Sequence, residues 1–497
     1  MSEDDTSLAG SLIEAARRHR DAIAVVDRGS GYTYRELDES SARVAGGLVR
    51  NGIGPGAVVA VHAVRSWARC VAVLALWRAG AGVLSVDPAL PPARKMRIAE
   101  GAGAAMVLSA GDGPRADLGI AEYALGELTA APPAERPDGP VGYVIATSGS
   151  TGEPKLVALP PRVLTDLGAW HIRHRRYDSP PHTLHMTSVG FDVGYEEMVA
   201  TWLAGATLVV VGDEERQDPF LLIDTVREHA AARMFLPVAG LHGLATAAVV
   251  GEERMPSLRE LVVAGERLVL NDEIRRFCAA GDIALVNQYG PSETHVVTEH
   301  RLPGAPASWP DRPPIGTPVA GAGLLRHADG VLRPFALDET GELVVSGNCL
   351  AREYIGDGTL TAAKFRTLPD RENRPLRCYF TGDLVRFDGR EFHFLSRTDD
   401  QMKVSGHRVE PGEVEAVLGT VPGIRRAAVV GVRVSVSTQL AAFYTCEAGA
   451  AVGTEELAAE CAAHLPAYML PRHFRRCEDL PLTPNGKIDR RRLQASF

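Results

Sequence analysis

The run Thr147-Ser148-Gly149-Ser150-Thr151-Gly152-Glu153-Pro154-Lys155 places four hydroxyls, two glycines and one lysine within nine positions. It directly follows the apolar run Tyr143-Val144-Ile145-Ala146. An apolar strand followed by a loop rich in Gly, Ser and Thr offers backbone N–H groups and hydroxyls to a phosphate. The loop is not a Walker A motif, because no Gly-Lys-Ser/Thr ending stands at the required place. A flexible surface turn is the alternative, since Gly, Ser and Pro also dominate turns.

Helical and strand patterns alternate on both sides of this loop. Helical spacing covers residues 11–18 and 34–50, and strand-like apolar runs cover 22–26, 58–61, 207–211 and 258–263. Connections rich in Pro and Gly interrupt the alternation at 131–139 and 303–316. Strands that alternate with helices predict an α/β fold with layered, mostly parallel sheets.

The composition is that of an ordinary globular protein with an acidic balance. The 497 residues carry a formal net charge of −9, and no basic block indicates a nucleic-acid surface. Seven cysteines lack any Cys-x-x-Cys pair, which argues for a reducing compartment and against a disulfide scaffold or a zinc site. No apolar signal core and no run of roughly 18 apolar residues is present. We therefore expect a cytoplasmic protein without nucleic-acid or membrane partners.

Further motifs follow one another along the chain. They read YTYREL at 32–37, RAGAG at 78–82, VDP at 86–88, FD at 191–192, NQYGPSE at 287–293, GEL at 341–343, AREY at 351–354, TGD at 381–383, RTDDQMK at 397–403, LPAYMLP at 465–471 and PNGK at 484–487. Together with the loop, this series resembles the core motifs of the adenylate-forming enzymes, which include acyl-CoA synthetases, luciferases and the adenylation domains of nonribosomal peptide synthesis. The resemblance runs from about Tyr32 to Arg490.

The resemblance implies two domains. Residue patterns alone indicate only a soft boundary near residue 396, where a strand gives way to a polar link. The family implies a large N-terminal domain over 1–398 and a small, mobile α+β domain over 399–497. The family also implies a hinge at the position matching Asp399, and a terminal residue that absorbs backbone rotation is enough for a hinge. An ordinary polar loop is the alternative.

The resemblance also implies ATP and Mg²⁺ as cofactors. Tyr289 would stack on adenine, Asn287 would hydrogen-bond the adenine edge, and Asp383 would accept both ribose hydroxyls. Glu293 matches the family's magnesium-binding glutamate, and one carboxylate beside phosphates suits Mg²⁺. Taken singly, these residues have plainer structural roles. The expected ATP-binding residues are Thr147, Ser148, Gly149, Ser150, Thr151, Gly152, Lys155, Asn287, Tyr289, Ser292 and Asp383.

Two lysines are candidate catalytic residues. Lys487 matches the lysine that bridges the substrate carboxylate and the α-phosphate during adenylation, where its charge offsets developing negative charge. Lys403 and Gly406 belong to the face that would replace it after rotation, when a pantetheine thiol attacks the adenylate. Lys403 would also contact the nucleotide in the first state. A lone lysine near a C-terminus is ordinarily a surface charge, but the Asn-Gly turn before Lys487 favours function.

Asp192 indicates that the substrate is an amino acid. It follows Phe191 where amino-acid-activating members of the family place an aspartate against the substrate ammonium. A buried anion is costly unless a cation meets it, so an ammonium on the ligand would account for this residue. An aspartate that caps a helix is the alternative.

The remaining substrate-pocket positions follow from alignment to the flanking motifs. They are Val193, Glu196, Ala239, Val262, Ala264, Gln288, Val296 and Val297. An acid such as Glu196 in a pocket needs a cation or a hydrogen-bond donor, which predicts an amino acid with a basic or hydrogen-bonding side chain. A β-amino acid is a second prediction. The third is that Glu196 pairs with a nearby arginine and the substrate is small and apolar.

The resemblance implies a separate carrier protein, with phosphopantetheine, as the acceptor. Neither the Leu-Gly-Gly-x-Ser signature of a carrier domain nor the His-His-x-x-x-Asp-Gly signature of a condensation domain occurs in the chain. We therefore expect a free-standing adenylation enzyme of a natural-product pathway, and a small helper protein is compatible with this interpretation. An acyl- or aryl-CoA ligase of the same fold and a non-catalytic nucleotide-binding relative are the competing interpretations.

Overall fold

The computed structural model describes residues 7–111, 113, 115–129, 132–149, 152–174, 180–404, 406–434, 437–483 and 488–497. The chain divides into two compact units. The first contains 1–88, 99–145 and 156–398, and the second contains 89–98, 146–155 and 399–497. The two shorter segments of the second unit come from the N-terminal part of the sequence. The division into domains at 398 and 399 stays a prediction.

Helices and strands alternate through most of the chain. The helices are α1 (Leu8–Arg18), α2 (Tyr34–Arg50), α3 (Trp67–Arg78), α4 (Pro92–Gly101), α5 (Arg162–His174), α6 (Val193–Leu203), α7 (Asp213–Gln217), α8 (Pro219–Glu228), α9 (Val238–Val250), α10 (Asp272–Gly281), α11 (Gly358–Lys364), α12 (Pro411–Leu418), α13 (Thr454–His464) and α14 (Arg490–Ala495). Short 3₁₀ turns cover Leu125–Leu128, Pro306–Ser308 and Ala467–Met469.

The strands are short, and most lie between helices in the sequence. They are β1 (Ile23–Asp27), β2 (Ser30–Thr33), β3 (Val58–His62), β4 (Gly82–Val86), β5 (Met106–Ser109), β6 (Glu122–Ala124), β7 (Tyr143–Thr147), β8 (Lys155–Leu159), β9 (Thr183–His185), β10 (Leu208–Val210), β11 (Arg233–Pro237), β12 (Glu260–Ala264), β13 (Ala284–Tyr289), β14 (Thr298–Arg301), β15 (Thr317–Pro318), β16 (Gly323–Ala328), β17 (Val331–Arg333), β18 (Thr340–Ser346), β19 (Glu353–Tyr354), β20 (Phe365–Pro369), β21 (Pro375–Phe387), β22 (Phe392–Arg397), β23 (Met402–Val404), β24 (His407–Val409), β25 (Ile424–Val434), β26 (Ser437–Cys446) and β27 (His473–Arg476).

Strands β1–β22 form three sheets. The largest has the order β15-β14-β13-β12-β11-β9-β10-β1-β2, and its strands from β13 to β1 are parallel. The second has the order β19-β8-β7-β4-β3-β5-β6 and is also parallel around β3 and β4. The third, β17-β16-β18-β21-β20 with β22 against β21, is antiparallel. The pattern predicted the parallel sheets but not the antiparallel one.

The second unit holds a smaller α+β body. Strands β23 and β24 form a hairpin, and β25-β26-β27 form a three-stranded sheet. Buried side chains of α12, α13 and this sheet, among them Val414, Leu418, Val429, Leu440 and Leu457, form its core. The predicted fold class is thus confirmed, with a large α/β part and a small α+β part.

The sequence of helix α2 explains why both of its ends could be predicted accurately. Thr33 and Glu36 form a capping box, in which the Thr33 N–H donates to Glu36 Oε2 at 2.7 Å and the Glu36 N–H donates to Thr33 Oγ1 at 3.2 Å. Two backbone N–H groups at the helix start are therefore satisfied. The predicted helix over 34–50 matches α2 at both ends. Within the described part of the chain, no helix is both long and apolar enough to cross a membrane.

Gly47 in α2 has no room for a side chain. A Cβ atom there would lie 2.2 Å from the Leu128 carbonyl oxygen. We predict that Gly47→Ala lowers the free energy of unfolding by about 1–3 kcal/mol through overpacking, although Ala favours helices. Chemical denaturation measures the effect. Gly358→Ala in α11 is the control, because a Cβ atom there meets nothing within 4 Å; equal losses in the two variants would contradict the prediction.

Candidate active site

Several predicted site residues follow the carboxyl ends of parallel strands in the nine-stranded sheet. Asp192 comes after β9, Ala239 after β11, Ala264 ends β12 and Tyr289 ends β13. Parallel strands end at one edge, and ligands of open α/β sheets bind in the crevice outside these ends. The topology thus gathers residues that are far apart in sequence.

Asp383 lies in a buried network with a phenol and a guanidinium. The Tyr289 hydroxyl donates to Asp383 Oδ2 at 2.5 Å, and Arg397 Nη1 donates to Oδ1 at 2.5 Å. Burial and then the Asp383 carboxylate raise the pKa of Tyr289 well above its usual range, so the phenol keeps its proton. Each carboxylate oxygen has two acceptor sites. Each therefore keeps one site for a further donor, as ribose hydroxyls would require.

Asn287, two residues before the end of β13, is 3% exposed. Its side-chain amide donates to the Pro314 carbonyl oxygen at 2.8 Å. This contact uses the nitrogen, so the amide oxygen is the atom with which Asn287 would accept a bond from an exocyclic amine.

Glu293 is fully buried and held by Tyr354, whose hydroxyl donates to Glu293 Oε1 at 2.7 Å. The loop before it is tight, because a Cβ atom at Gly290 would lie 1.7 Å from the His295 carbonyl oxygen. The described residues contain no cluster of three or more metal-binding side chains. A single carboxylate nevertheless fits Mg²⁺, which keeps several waters and binds mainly to substrate phosphates.

Asp192 caps α6, as the structural alternative for this residue predicts. Its Oδ1 accepts from the Val193 N–H at 2.9 Å, and its carbonyl oxygen lies 3.2 Å from His295 Nε2. Among the described residues nothing hydrogen-bonds Oδ2 of this half-buried side chain. His295 itself has a positive φ of 55°, a conformation that non-glycine residues adopt mainly where the surrounding structure requires it. The helix cap therefore uses Oδ1 of Asp192, and Oδ2 has no hydrogen bond among the described residues.

Glu196 is 1% exposed, and a histidine lies beside it, not the arginine of the alternative interpretation. His171 Nε2 on α5 lies 2.6 Å from Glu196 Oε1, and Gln288 Nε2 on β13 lies 2.9 Å from the same oxygen. Burial alone raises the pKa of Glu196, but the hydrogen bond and charge of His171, followed by the charge of His295 and the Gln288 hydrogen bond, bring it down to about 2. The buried carboxylate is therefore ionised.

The other pocket positions do not all lie together. Val193 and Val262 belong to one apolar cluster with Phe235 and Val286. Val296 packs in a different cluster with Leu167 and Val319, and Val297 belongs to the main core. Ala239, in the first turn of α9, and Ala264, at the end of β12, are half-buried.

The described part of the phosphate loop contacts carboxylates within the second unit. Gly149 N–H donates to Glu413 Oε2 at 3.1 Å, and Lys155 Nζ lies 2.9 Å from Glu410 Oε1. Ser148 Oγ donates to the Arg408 carbonyl oxygen at 2.9 Å. Burial raises the pKa of Glu413 although the charge and hydrogen bond of Arg94 oppose this rise. Two of the donors that the sequence assigned to phosphate, Gly149 N–H and Lys155, thus bind carboxylate oxygens here.

The remaining predicted residues are placed as follows. Thr147 is buried, Gly152 has a positive φ of 90°, and Ser292 and Lys403 are half-buried. Asp399 Oδ1 accepts from the Gln401 N–H at 3.3 Å. Ser150, Thr151 and Lys487 lie outside the described residues.

Sequence reasoning missed four residues that contact these side chains: His171, His295, Tyr354 and Arg397. Tyr354 and Arg397 lie inside recognised motifs, so their motif positions were a usable signal. No motif surrounds His171, and only the packing of α5 against α6 brings it to Glu196.

We predict that Tyr289→Phe lowers the free energy of unfolding by about 1–3 kcal/mol, because Asp383 loses a buried donor. Tyr143→Phe is the matched control. Tyr143 is also fully buried, but its hydroxyl has no partner in the described structure, so its removal should be neutral or stabilising. Urea denaturation of both variants tests the pair, and a larger loss at Tyr143 would refute the assignment.

Comparisons with known proteins agree with this arrangement. The family model of the AMP-binding enzyme matches residues 12–355, and that of the AMP-binding enzyme C-terminal domain matches 413–487. Tyrocidine synthase 2 of Brevibacillus parabrevis is 33% identical over 490 residues, which cover 96% of this chain and 13% of that protein. Phosphinothricin tripeptide synthetase PhsC of Streptomyces viridochromogenes is 36% identical, with coverage of 98% and 45%. The chain thus spans less than half of either relative.

Solved structures share the fold. Holo-PA1221, an NRPS protein containing adenylation and PCP domains bound to a vinylsulfonamide inhibitor, matches with a TM-score of 0.86 and 27% identity, covering 98% of this chain and 84% of that one. The Vibrio cholerae adenylation domain AlmE, in complex with glycyl-adenosine-5'-phosphate, has a TM-score of 0.83 at 20% identity, with coverage of 98% and 97%. The chain belongs to the AMP-binding enzymes, a family of ATP-dependent ligases that includes the adenylation domains of nonribosomal peptide synthetases.

Proposed function

We propose that this chain adenylates an amino acid and transfers it to the phosphopantetheine thiol of a separate carrier protein. The relatives are synthases of peptide products, and holo-PA1221 contains adenylation and PCP domains. The observation that carries the amino-acid assignment is Asp192, whose Oδ1 caps α6 while Oδ2 has no hydrogen bond among the described residues. An ammonium group is the ligand that a half-buried carboxylate oxygen suits best.

The first step joins two anions. The amino-acid carboxylate attacks the α-phosphorus of ATP, an acyl–phosphate bond forms, and pyrophosphate leaves with the electron pair of the broken bond. Gly149 N–H and Lys155 already bind carboxylate oxygens in this structure, which supports a role in binding the phosphates. Bound Mg²⁺, with Glu293 as its ligand, would neutralise phosphate charge.

The other residues orient the reactants. Asp383 would accept ribose hydroxyls through its remaining lone pairs, and Tyr289 and Arg397 hold it in place. Lys487 would lie beside the developing charge at the α-phosphorus, an assignment that rests on its motif alone. After rotation at Asp399, the thiol sulfur would attack the acyl carbon and AMP would leave, with Lys403 on the approaching face.

We propose that the side chain of the substrate is basic or otherwise hydrogen-bonding, because Glu196 is ionised and buried in the pocket. A β-amino acid remains the second proposal for the substrate. We propose that a carrier protein, with or without a helper protein, is the partner of this chain.

Amino-acid-dependent ATP–pyrophosphate exchange tests the function. We predict exchange with at least one α- or β-amino acid, and no exchange with matched fatty or aryl acids. Turnover of a plain carboxylic acid, with free coenzyme A as the acceptor, would overturn the proposal in favour of an acyl-CoA ligase. If no acid supports exchange although the protein binds ATP, the result would favour a non-catalytic relative.

We predict that Asp192→Asn raises the KM of the amino acid by about 10- to 100-fold, the loss expected for a charge-assisted hydrogen bond. Asn caps helices about as well as Asp, so the melting temperature should not change. Asp218→Asn is the control, because Asp218 also caps a helix, accepting from the Phe220 and Leu221 N–H groups at the start of α8, and is not one of the predicted site residues. An unchanged KM in Asp192→Asn would show that Asp192 acts only as a helix cap.

A further inference from the structure

Two adjacent glutamates on α6, Glu196 and Glu197, are both buried and both contact a histidine. Both side-chain oxygens of Glu197 have partners within the fold. Its Oε2 lies 2.6 Å from His185 Nδ1, and its Oε1 accepts from the Thr187 N–H at 3.2 Å and from the Thr187 hydroxyl at 2.6 Å. A carboxylate whose two oxygens are both bonded within the fold needs no further partner.

Glu196 differs from its neighbour in one respect. Its Oε1 has two partners, His171 and Gln288, but its Oε2 is buried without a hydrogen-bond partner in the described structure. An acceptor left unsatisfied in the interior is destabilising, and native proteins leave few of them. A donor from outside the described fold would satisfy this oxygen.

Gln288 supplies a second acceptor. Its side-chain nitrogen donates to Glu196 Oε1 at 2.9 Å and to Glu299 Oε2 at 3.1 Å. An amide atom between two carboxylates must be the nitrogen, so these contacts determine the orientation of the amide. Gln288 Oε1 is likewise buried without a partner among the described residues.

Apolar side chains lie on the same two elements as the acceptor oxygens of Glu196 and Gln288. Val193 and Glu196 are three residues apart on α6 and share a helix face, and Val286 and Gln288 share a face of β13. Val193 and Val286 pack in the cluster that contains Phe235. The two acceptor oxygens therefore share the faces of α6 and β13 with apolar side chains of that cluster.

The charges near these acceptors favour a cation. The acidic groups are Glu196, Asp192 and Glu299, and the imidazoles of His171 and His295 help to lower the pKa of Glu196. The buried hydroxyl of the neighbouring Tyr143 has its pKa raised by burial and then by Asp192, so it stays neutral. A protonated primary amine on an aliphatic stem would supply donors to both oxygens and a charge opposite to that of the nearby carboxylates.

We propose that Glu196 Oε2 and Gln288 Oε1 bind the side-chain ammonium of a diamino acid, and that His171 is the positioning residue that orients Glu196 for this contact. This inference rests on the proposed amino-acid adenylation and narrows its substrate class. His171 acts through Glu196, because its Nε2–H holds Oε1 and thereby directs Oε2 to the ligand.

The first test compares length-matched substrates on the wild-type enzyme. ATP–pyrophosphate exchange is measured with 2,4-diaminobutyrate, ornithine and lysine, each against the aliphatic amino acid of similar length. We expect at least one diamino acid to exceed its neutral partner by about 30-fold or more in kcat/KM, since sites with buried polar groups reject analogues that leave them unpaired. Equal or better turnover of the neutral partner overturns the inference but leaves the proposed function intact. Absence of exchange with any amino acid refutes both.

Variants then separate the roles of the residues. Glu196→Gln should remove most of the preference, mainly through a higher KM for the diamino acid. Glu197→Gln is the matched control: it breaks the neighbouring buried pair and should lower stability without changing the preference. A loss of preference in Glu197→Gln equal to that in Glu196→Gln would refute the assignment.

His171 is tested by conservative rescue. Gln places an amide N–H near the position of a histidine Nε2–H, so His171→Gln should keep the preference within about fivefold, whereas His171→Leu should lose about tenfold or more through KM. Equal preference in His171→Leu and wild type would remove His171 from the proposal. If His171→Leu does not fold, as judged by circular dichroism, the wild-type substrate pairs and Glu196→Gln decide.

Discussion

The parallel pairing of the central strands in the nine-stranded sheet is the constraint on which the candidate site depends. Because β9, β11, β12 and β13 run in the same direction, the residues that follow them meet at one edge. Strands that are buried on both faces need runs of apolar residues. The polar groups that bind ligands therefore lie mainly in the connections between the strands. At this edge the strands and their connections carry polar or small residues, which include Asp192, Ala264 and Tyr289.

Buried carboxylates in this protein are kept in different ways. Glu197 has every oxygen bonded within the fold, which makes it a structural element. Asp383 has one donor on each oxygen and keeps further acceptor capacity. Glu196 has two donors on one oxygen and none on the other. An oxygen without any hydrogen bond, rather than burial alone, therefore distinguishes Glu196 from the neighbouring Glu197.

Local signals in the sequence were enough for part of this description. Helix α2 was predicted to its end residues because its cap and its buried face are encoded within 17 consecutive residues. Tyr289, Glu293 and Asp383 were found because their motifs are short and contiguous. The partner of Glu196 was not predicted: His171 is 25 positions away and reaches it only through helix packing. The sequence also did not show that Asp192 could both cap a helix and bind a ligand, because the two roles require the same residue type.

The sharing of one oxygen between His171 and Gln288 has a consequence for how this pocket can change over evolutionary time. An apolar residue at position 196 would remove the acceptor of the His171 N–H and one of the two acceptors of the Gln288 amide. Substitutions at 171, 196 and 288 are therefore expected to be strongly non-additive. A new specificity would have to be reached through several coordinated changes, so most single-step mutational paths away from the present pocket pass through less stable intermediates.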